Sequence, residues 1–235
     1  MIGIGTIVNT IAVIIGGLLG LLIGKKLKEH QQDSLVKACG VSVIFISIAG
    51  AMEGMLKIED NNLISENAML VVICITLGTL IGSIINIEGL FERFGEWLKQ
   101  KSGNAKDPKF VSAFVNTSFT VCIGAMAIVG AISDGIGKDP TTLLVKSILD
   151  FIILIVLTST LGKGAIFSFI PILLFEGSIM LLSFLLEPIM TPTATLYLSM
   201  IGSVLIFCVG INLIFGKKIS VANMLPSVII VVILS

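Results

Sequence analysis

Glu176 stands in the run Leu-Leu-Phe-Glu-Gly-Ser, about twelve residues into an apolar stretch, which puts its carboxyl roughly 18 Å from one helix end and near the centre of a bilayer. An ionisable group at that depth costs about 3 kcal/mol, so it faces a cavity, a partner or a pathway rather than lipid. Lys146 and Asp150 are four residues apart in another apolar stretch, so they share one helical face and can neutralise each other inside the membrane. Such groups can bind and release a proton or small ion, or part as a solute binds; a structural ion pair and a protonated or hydrogen-bonded carboxyl are the plainer readings. Glu53 in Ile-Ala-Gly-Ala-Met-Glu-Gly and Asp134 in Ile-Val-Gly-Ala-Ile-Ser-Asp-Gly share a pattern. Both are expected near the outer ends of their helices, within reach of water, as interfacial groups or as a cation vestibule.

Other chemistry finds little support. His30 is the only histidine and lies in a loop, so neither Ser-His chemistry nor a His-Glu-x-x-His zinc site is present. The one pair of membrane aspartates, Asp134 and Asp150, suits an aspartate dyad poorly, because Asp134 is expected too near the surface. Cys39, Cys74, Cys122 and Cys208 fall in apolar segments without the close paired spacing of a metal or redox motif. No enzyme activity, cofactor or metal is expected.

The elements that carry these residues follow from composition. Hydrophobic residues make up 55% and charged residues 13% of the chain, and the mean hydropathy is +1.10, against about 45–50% apolar and about 25% charged in soluble domains. The expected fold is all-α: a polytopic transmembrane helical bundle in a single membrane domain, 1–235. Apolar segments run over 2–24, 35–56, 68–87, 110–132, 141–161, 164–187, 193–215 and 219–235. Each is long enough to approach or cross about 30 Å of hydrocarbon. Eight spans result, or seven, since the last is short and interrupted by Pro226. Pro171, five residues before Glu176, predicts a kink beside that carboxyl.

Threading the spans alternately places Lys25, Lys26, Lys28, Lys37, Arg93 and the lysines at 99, 101, 106, 109, 163, 217 and 218 on one side, leaving Lys57, Lys138 and Lys146 for the other. Positive charge is retained inside, so the N-terminus is expected outside. Segment 88–101 has Leu90, Phe91, Phe94, Trp97 and Leu98 at helical spacing and is expected to lie on the cytoplasmic surface as an amphipathic helix, with a partner-docking helix as the alternative. Net charge is zero, so nothing points to nucleic acid.

An internal repeat is visible. Val8-Asn9-Thr10 opens span one and Val115-Asn116-Thr117 opens span four; Leu35-Val36-Lys37 and Leu144-Val145-Lys146 follow at similar offsets; Gly82-Ser83-Ile84 and Gly177-Ser178-Ile179 come third. Two three-helix units, 1–87 and 109–187, would face opposite ways, joined by 88–108 and followed by the helices of 188–235. Inverted repeats of this kind place a transport site at the midplane. Asn9 and Asn116 become symmetry mates, as do Lys37 and Lys146, although Lys37 alone reads as an interfacial lysine. Small residues at four-residue spacing, Gly16-Gly20-Gly24, Gly50-Gly54 and Gly78-Gly82, allow close packing within the chain or in a homo-oligomer.

The run Cys-Ile-Gly-Ala-Met-Ala-Ile-Val-Gly-Ala-Ile-Ser-Asp-Gly at 122–135, Lys-Ser-Ile-Leu-Asp at 146–150, the opening Gly-Thr-Ile-Val-Asn-Thr and the closing Val-Ala-Asn-Met-Leu-Pro resemble the YdfK/YqgA-type family of bacterial membrane proteins, a domain of unknown function, over essentially the whole chain. The resemblance implies a bacterial inner-membrane location and supplies no substrate. It leads us to expect glutamine where this chain has Glu176. The expectation is a transport protein for a small solute or ion, with Glu176, Asp150, Lys146, Asn116, Asn9, Lys37, Glu53 and Asp134 as pathway candidates and the bilayer as its surroundings; an ion channel, or a membrane scaffold or sensor, is the alternative.

Overall fold

Apolar runs bounded by glycine, asparagine or basic residues become helices throughout the computed structural model, which describes residues 2–59, 61–137 and 139–235. Lys138 lies outside the described residues. In chain order the elements are α1 (Ile4–Gly24), α2 (Glu29–Met55), a hairpin of β1 (Leu56–Glu59) and β2 (Asn62–Ser65), α3 (Ala68–Ile85), α4 (Ile87–Lys101), α5 (Phe110–Cys122), α6 (Ala125–Gly135) and α7 (Thr141–Leu161). A 3-10 turn, Lys163–Ser168, leads into α8 (Phe169–Leu181). The short α9 (Ser183–Leu186), α10 (Pro192–Phe215), α11 (Val221–Met224) and α12 (Pro226–Leu234) complete the chain. The protein is an all-α polytopic membrane bundle, and the antiparallel hairpin occupies the connection between the second and third apolar segments.

Six helices among the described residues are long and apolar enough to span a membrane, and α5 with α6 makes a seventh as a pair bent by 64°. Span four is therefore not the continuous helix that its hydropathy predicts. Gly124 takes φ 152° and ψ 149°, backbone open to glycine and strained for other residues. The eighth segment, Val221–Leu234, is too short to count with the others. Pro171 does not interrupt the span, since Lys163–Leu181 counts as one membrane-length helix; it falls in the first turn of α8, where the 3-10 turn passes into α-helix.

Glycines set the helix directions. Gly5, Gly16, Gly20 and Gly24 of α1 face Leu143, Phe151, Ile155 and Ser159 of α7, so the two advance together and are parallel. Gly40 and Gly54 of α2 meet Gly210 and Met200 of α10, and Gly78 and Gly82 of α3 meet Ser227 and Asn223; these pairs are antiparallel. Two parallel spans need an odd number of crossings between them. Helices α2 and α3 supply two, and the bent α5–α6 pair is the third. Strict alternation follows, and it gathers the loops carrying Lys25–Lys28, Lys99–Lys109, Lys163 and Lys217–Lys218 at one end of the bundle, here the lysine face; the hairpin lies at the opposite face.

The α1–α7 seam sets the separation of Asn9 and Asp150, which hydrogen-bond across it. A Cβ added at Gly16 or Gly20 would stand 2.6 Å from the carbonyl oxygen of Phe151 or Ile155, so the backbones themselves would have to part. Gly20→Ala is expected to destabilise the protein by about 1–3 kcal/mol. Gly177→Ala, with nothing within 4 Å of its added carbon, should be close to neutral. Melting temperatures of the two variants in one detergent check this, and equal melting would show that the seam is not tight.

Candidate functional site

Three helices bring four polar side chains to one point in the membrane. Asn9 lies in the second turn of α1, Lys146 and Asp150 one turn apart in α7, and Glu176 two turns into α8. Asp150 is about 14 Å along a helix of about 30 Å, close to its middle. Relative exposure is 0% for Asn9, 7% for Lys146, 4% for Asp150 and 0% for Glu176.

Every contact among them is polar. The Asn9 Nδ2 amide donates to Glu176 Oε1 at 2.9 Å, Glu176 Oε2 at 3.1 Å and Asp150 Oδ2 at 3.1 Å. Lys146 Nζ donates to Asp150 Oδ2 and lies 3.5 Å from Glu176 Oε1. It also donates at 2.7 Å to the carbonyl oxygen of Val121, in the last turn of α5 beside the break. The ammonium thus ties the negative end of a half-helix to both carboxylates. With the carboxylates ionised, two negative charges face one positive charge. One negative charge is in excess, which a proton or a monovalent cation neutralises.

The other candidates lie elsewhere. Asp134 is 2% exposed, which corrects the expectation that water reaches it: its Oδ2 accepts from the Thr6 backbone N–H at 3.1 Å and Thr6 Oγ1 at 3.3 Å. Thr6 is one turn from Asn9 toward the opposite face, so a second buried carboxylate follows the cluster along α1. Glu53 is exposed near the end of α2. Lys37 is exposed and paired with Asp33 at 2.6 Å, the interfacial arrangement. Asn116 lines a separate cleft of about 330 Å³ at the lysine face, beside Glu88, Glu92, Glu96 and Lys217. The positions matched by the expected repeat therefore do different work: Asn9 binds the central carboxylates, whereas Asn116 does not reach them.

That cleft is closed by α4, whose apolar side packs on α5 through Phe94 on Phe114 and Phe91 on Phe119. Lys217 pairs with Glu88 at 2.6 Å and with Glu92. Partial burial works against its charge, yet the hydrogen bonds and charges of Glu88 and Glu92 prevail and hold its ammonium above the ordinary lysine range. A raised lysine contributes stability fully below that range and loses it only as pH rises through the folded value. The clamp is therefore expected to hold unchanged between about pH 6 and pH 9. Lys217→Met should expose α4 to limited proteolysis across that interval, and wild-type cleavage that increases within it would contradict the assignment.

Beside the break lies a cavity of about 950 Å³ bounded by α4, α5, α6, α8, α10 and α12, with Phe91, Ile123, Gly124, Phe175 and Ile229 among its walls. None of the four cluster side chains lines it, and no charged residue does. Sequence reasoning missed three contributors to the site: the Val121 carbonyl, the Gly124 break and Thr6. The Cys-Ile-Gly run, with a glycine inside an apolar segment, is the one signal that marks the break.

Residues 4–235 match the sequence model of a family described as "Protein of unknown function (DUF554)". The chain is 29% identical over 226 residues to "Uncharacterized membrane protein YdfK" of Bacillus subtilis (strain 168), covering 96% of this chain and 93% of that protein. It is 28% identical over 236 residues to "Uncharacterized protein YqgA" of Escherichia coli (strain K12), covering 99% and 96%. No solved structure matches.

Proposed function

The chain belongs to the DUF554 family of membrane proteins, and from the geometry of its buried cluster we propose that it is a transporter that moves a small solute or ion through Asn9, Lys146, Asp150 and Glu176, coupled to a proton or monovalent cation. One observation carries this reading: a closed polar cluster buried within the membrane-spanning helices holds one more carboxylate than ammonium. A purely structural ion pair is complete with Lys146 and Asp150. Glu176 adds a charge that the pair does not need, and it costs about 3 kcal/mol at that depth unless a cation comes and goes.

The broken helix supports the same reading. Half-helix ends at the midplane present backbone groups to ions, and a helix that is already interrupted bends there at little further cost. The cluster is enclosed on all sides, as suits an occluded carrier more than an open pore. With the lysine face in the cytoplasm, the N-terminus is outside and Asp134 with Thr6 lies on the outer approach to Asn9.

The test is solid-supported-membrane electrophysiology on proteoliposomes, stepping proton, sodium, potassium and small-carboxylate gradients in turn. A current under one gradient supports transport and names the ion class. Silence under all of them, together with no tracer uptake by the same vesicles, overturns it.

A further inference from the structure

The helices that build the charged cluster continue in register toward the lysine face. One helical turn on, Asn9 is followed by Val13, Asp150 by Leu154 and Glu176 by Ile172, counting forward on α1 and α7 and backward on α8. These three pack with Val121 of α5 in one buried apolar group, with exposures of 0% for Val13, Leu154 and Ile172 and 1% for Val121. A further turn on, the residues are Thr158 of α7, Ser168 at the end of the 3-10 turn that leads into α8, and Thr117 of α5, each four positions from its apolar neighbour. Residues four apart lie about 6 Å along one helical face. By that spacing Thr117, Thr158 and Ser168 stand about one turn beyond the apolar group on its lysine-face side.

All three hydroxyls are buried, at 0%, 1% and 0% exposure, and none of Thr117 Oγ1, Thr158 Oγ1 and Ser168 Oγ has a hydrogen-bond partner in the protein. This is unlike Ser118, Thr120, Ser147 and Thr160 nearby, which bond back to helix carbonyls. Three orphaned hydroxyls from three elements at one level make a site for a small ligand that both donates and accepts hydrogen bonds. A buried water needs two to four such partners.

We infer that Thr117, Thr158 and Ser168 hold a buried water cluster that forms the inner station of a proton path, sealed from the carboxylates by the Val13–Val121–Leu154–Ile172 layer. This rests on the transport reading and makes its coupling ion a proton, since hydroxyls that both donate and accept can order a relay of waters, and the sodium arm of the test below separates that from a metal cation. When the apolar layer parts and wets, a carboxyl O–H bond breaks as a water O–H bond forms. The excess proton then passes from water to water by the same exchange, and the carboxylate is left charged.

The test uses the full chain in proteoliposomes holding a pH-sensitive dye, with an imposed proton gradient and no added solute. Leu154→Ser and, more conservatively in shape, Ile172→Thr introduce a hydroxyl into the seal. Each is expected to raise proton leak about tenfold or more over wild type without a matching rise in sodium leak. Adding Thr117→Val, Thr158→Val and Ser168→Ala should return the leak to the wild-type level, and losing unpartnered hydroxyls should leave melting unchanged or raised. Tight vesicles from both single variants, both melting as folded proteins, overturn the inference, as does a leak that survives loss of the three hydroxyls or that carries sodium equally. The leak needs no substrate, so it separates the two claims. A wild type that moves nothing while Leu154→Ser leaks protons defeats the transport reading alone; flux lost in Glu176→Gln with a tight Leu154→Ser defeats this inference alone.

Discussion

Glu176→Gln is expected to lower gradient-driven flux about a hundredfold or more while the melting temperature stays level or rises. The amide keeps the shape of the carboxylate and its Oε1 can still accept from Asn9 Nδ2. It cannot take up a proton or offer a charge to a cation, and groups that handle protons contribute about 10²–10⁴ in rate. The variant leaves Lys146 and Asp150 as a balanced pair, so the electrostatic cost of the cluster falls. Loss of flux with retained stability is the signature of a functional carboxylate. A fall in both together would assign Glu176 to the architecture.

Lys146→Met should act in the opposite sense. It strands Asp150 and Glu176 without a counter-charge and leaves the Val121 carbonyl without its side-chain donor. Removing one partner of a buried ion pair costs about 3–5 kcal/mol, a large share of the stability of a domain this size. A steep drop in melting temperature, or loss of folded protein on gel filtration, is the expected result. Adding Asp150→Asn should recover part of the loss, because it removes one of the two charges left unpaired. Wild-type melting for Lys146→Met alone would show that the cluster does not depend on its ammonium.

Much of this site was legible in the sequence, through depth and spacing. Glu176 declared itself by its place in an apolar run, and Lys146 with Asp150 by four-residue spacing. Asn9 came through the repeat pattern and not through chemistry, and the same pattern led to Asn116, which lines a different cleft. Linear hydropathy measures depth along an assumed straight span. It failed at α5–α6, where Gly124 turns the chain and α6 draws Asp134 under Thr6, away from water. Gly124 is one of 24 glycines, and its composition does not distinguish it from those that only permit close packing. Pro171 misled for a related reason, since it sits where a 3-10 turn passes into α-helix, a change of winding that hydropathy does not show. The hydroxyl level was hidden because most serines and threonines in membrane helices bond their own backbone, and only the structure separates those that do from those that do not.

The most direct test of the carboxylate pathway compares wild type with the Glu176→Gln/Asp150→Asn double variant by solid-supported-membrane electrophysiology under the same series of ion steps. Glu59→Gln in the exposed hairpin serves as a charge-changing control away from the cluster. A transient current is expected in wild type and in Glu59→Gln that the double variant, equally reconstituted, does not show. Equal currents in all three would place the ion path elsewhere in the molecule and refute the assignment of transport to the Asn9–Lys146–Asp150–Glu176 cluster.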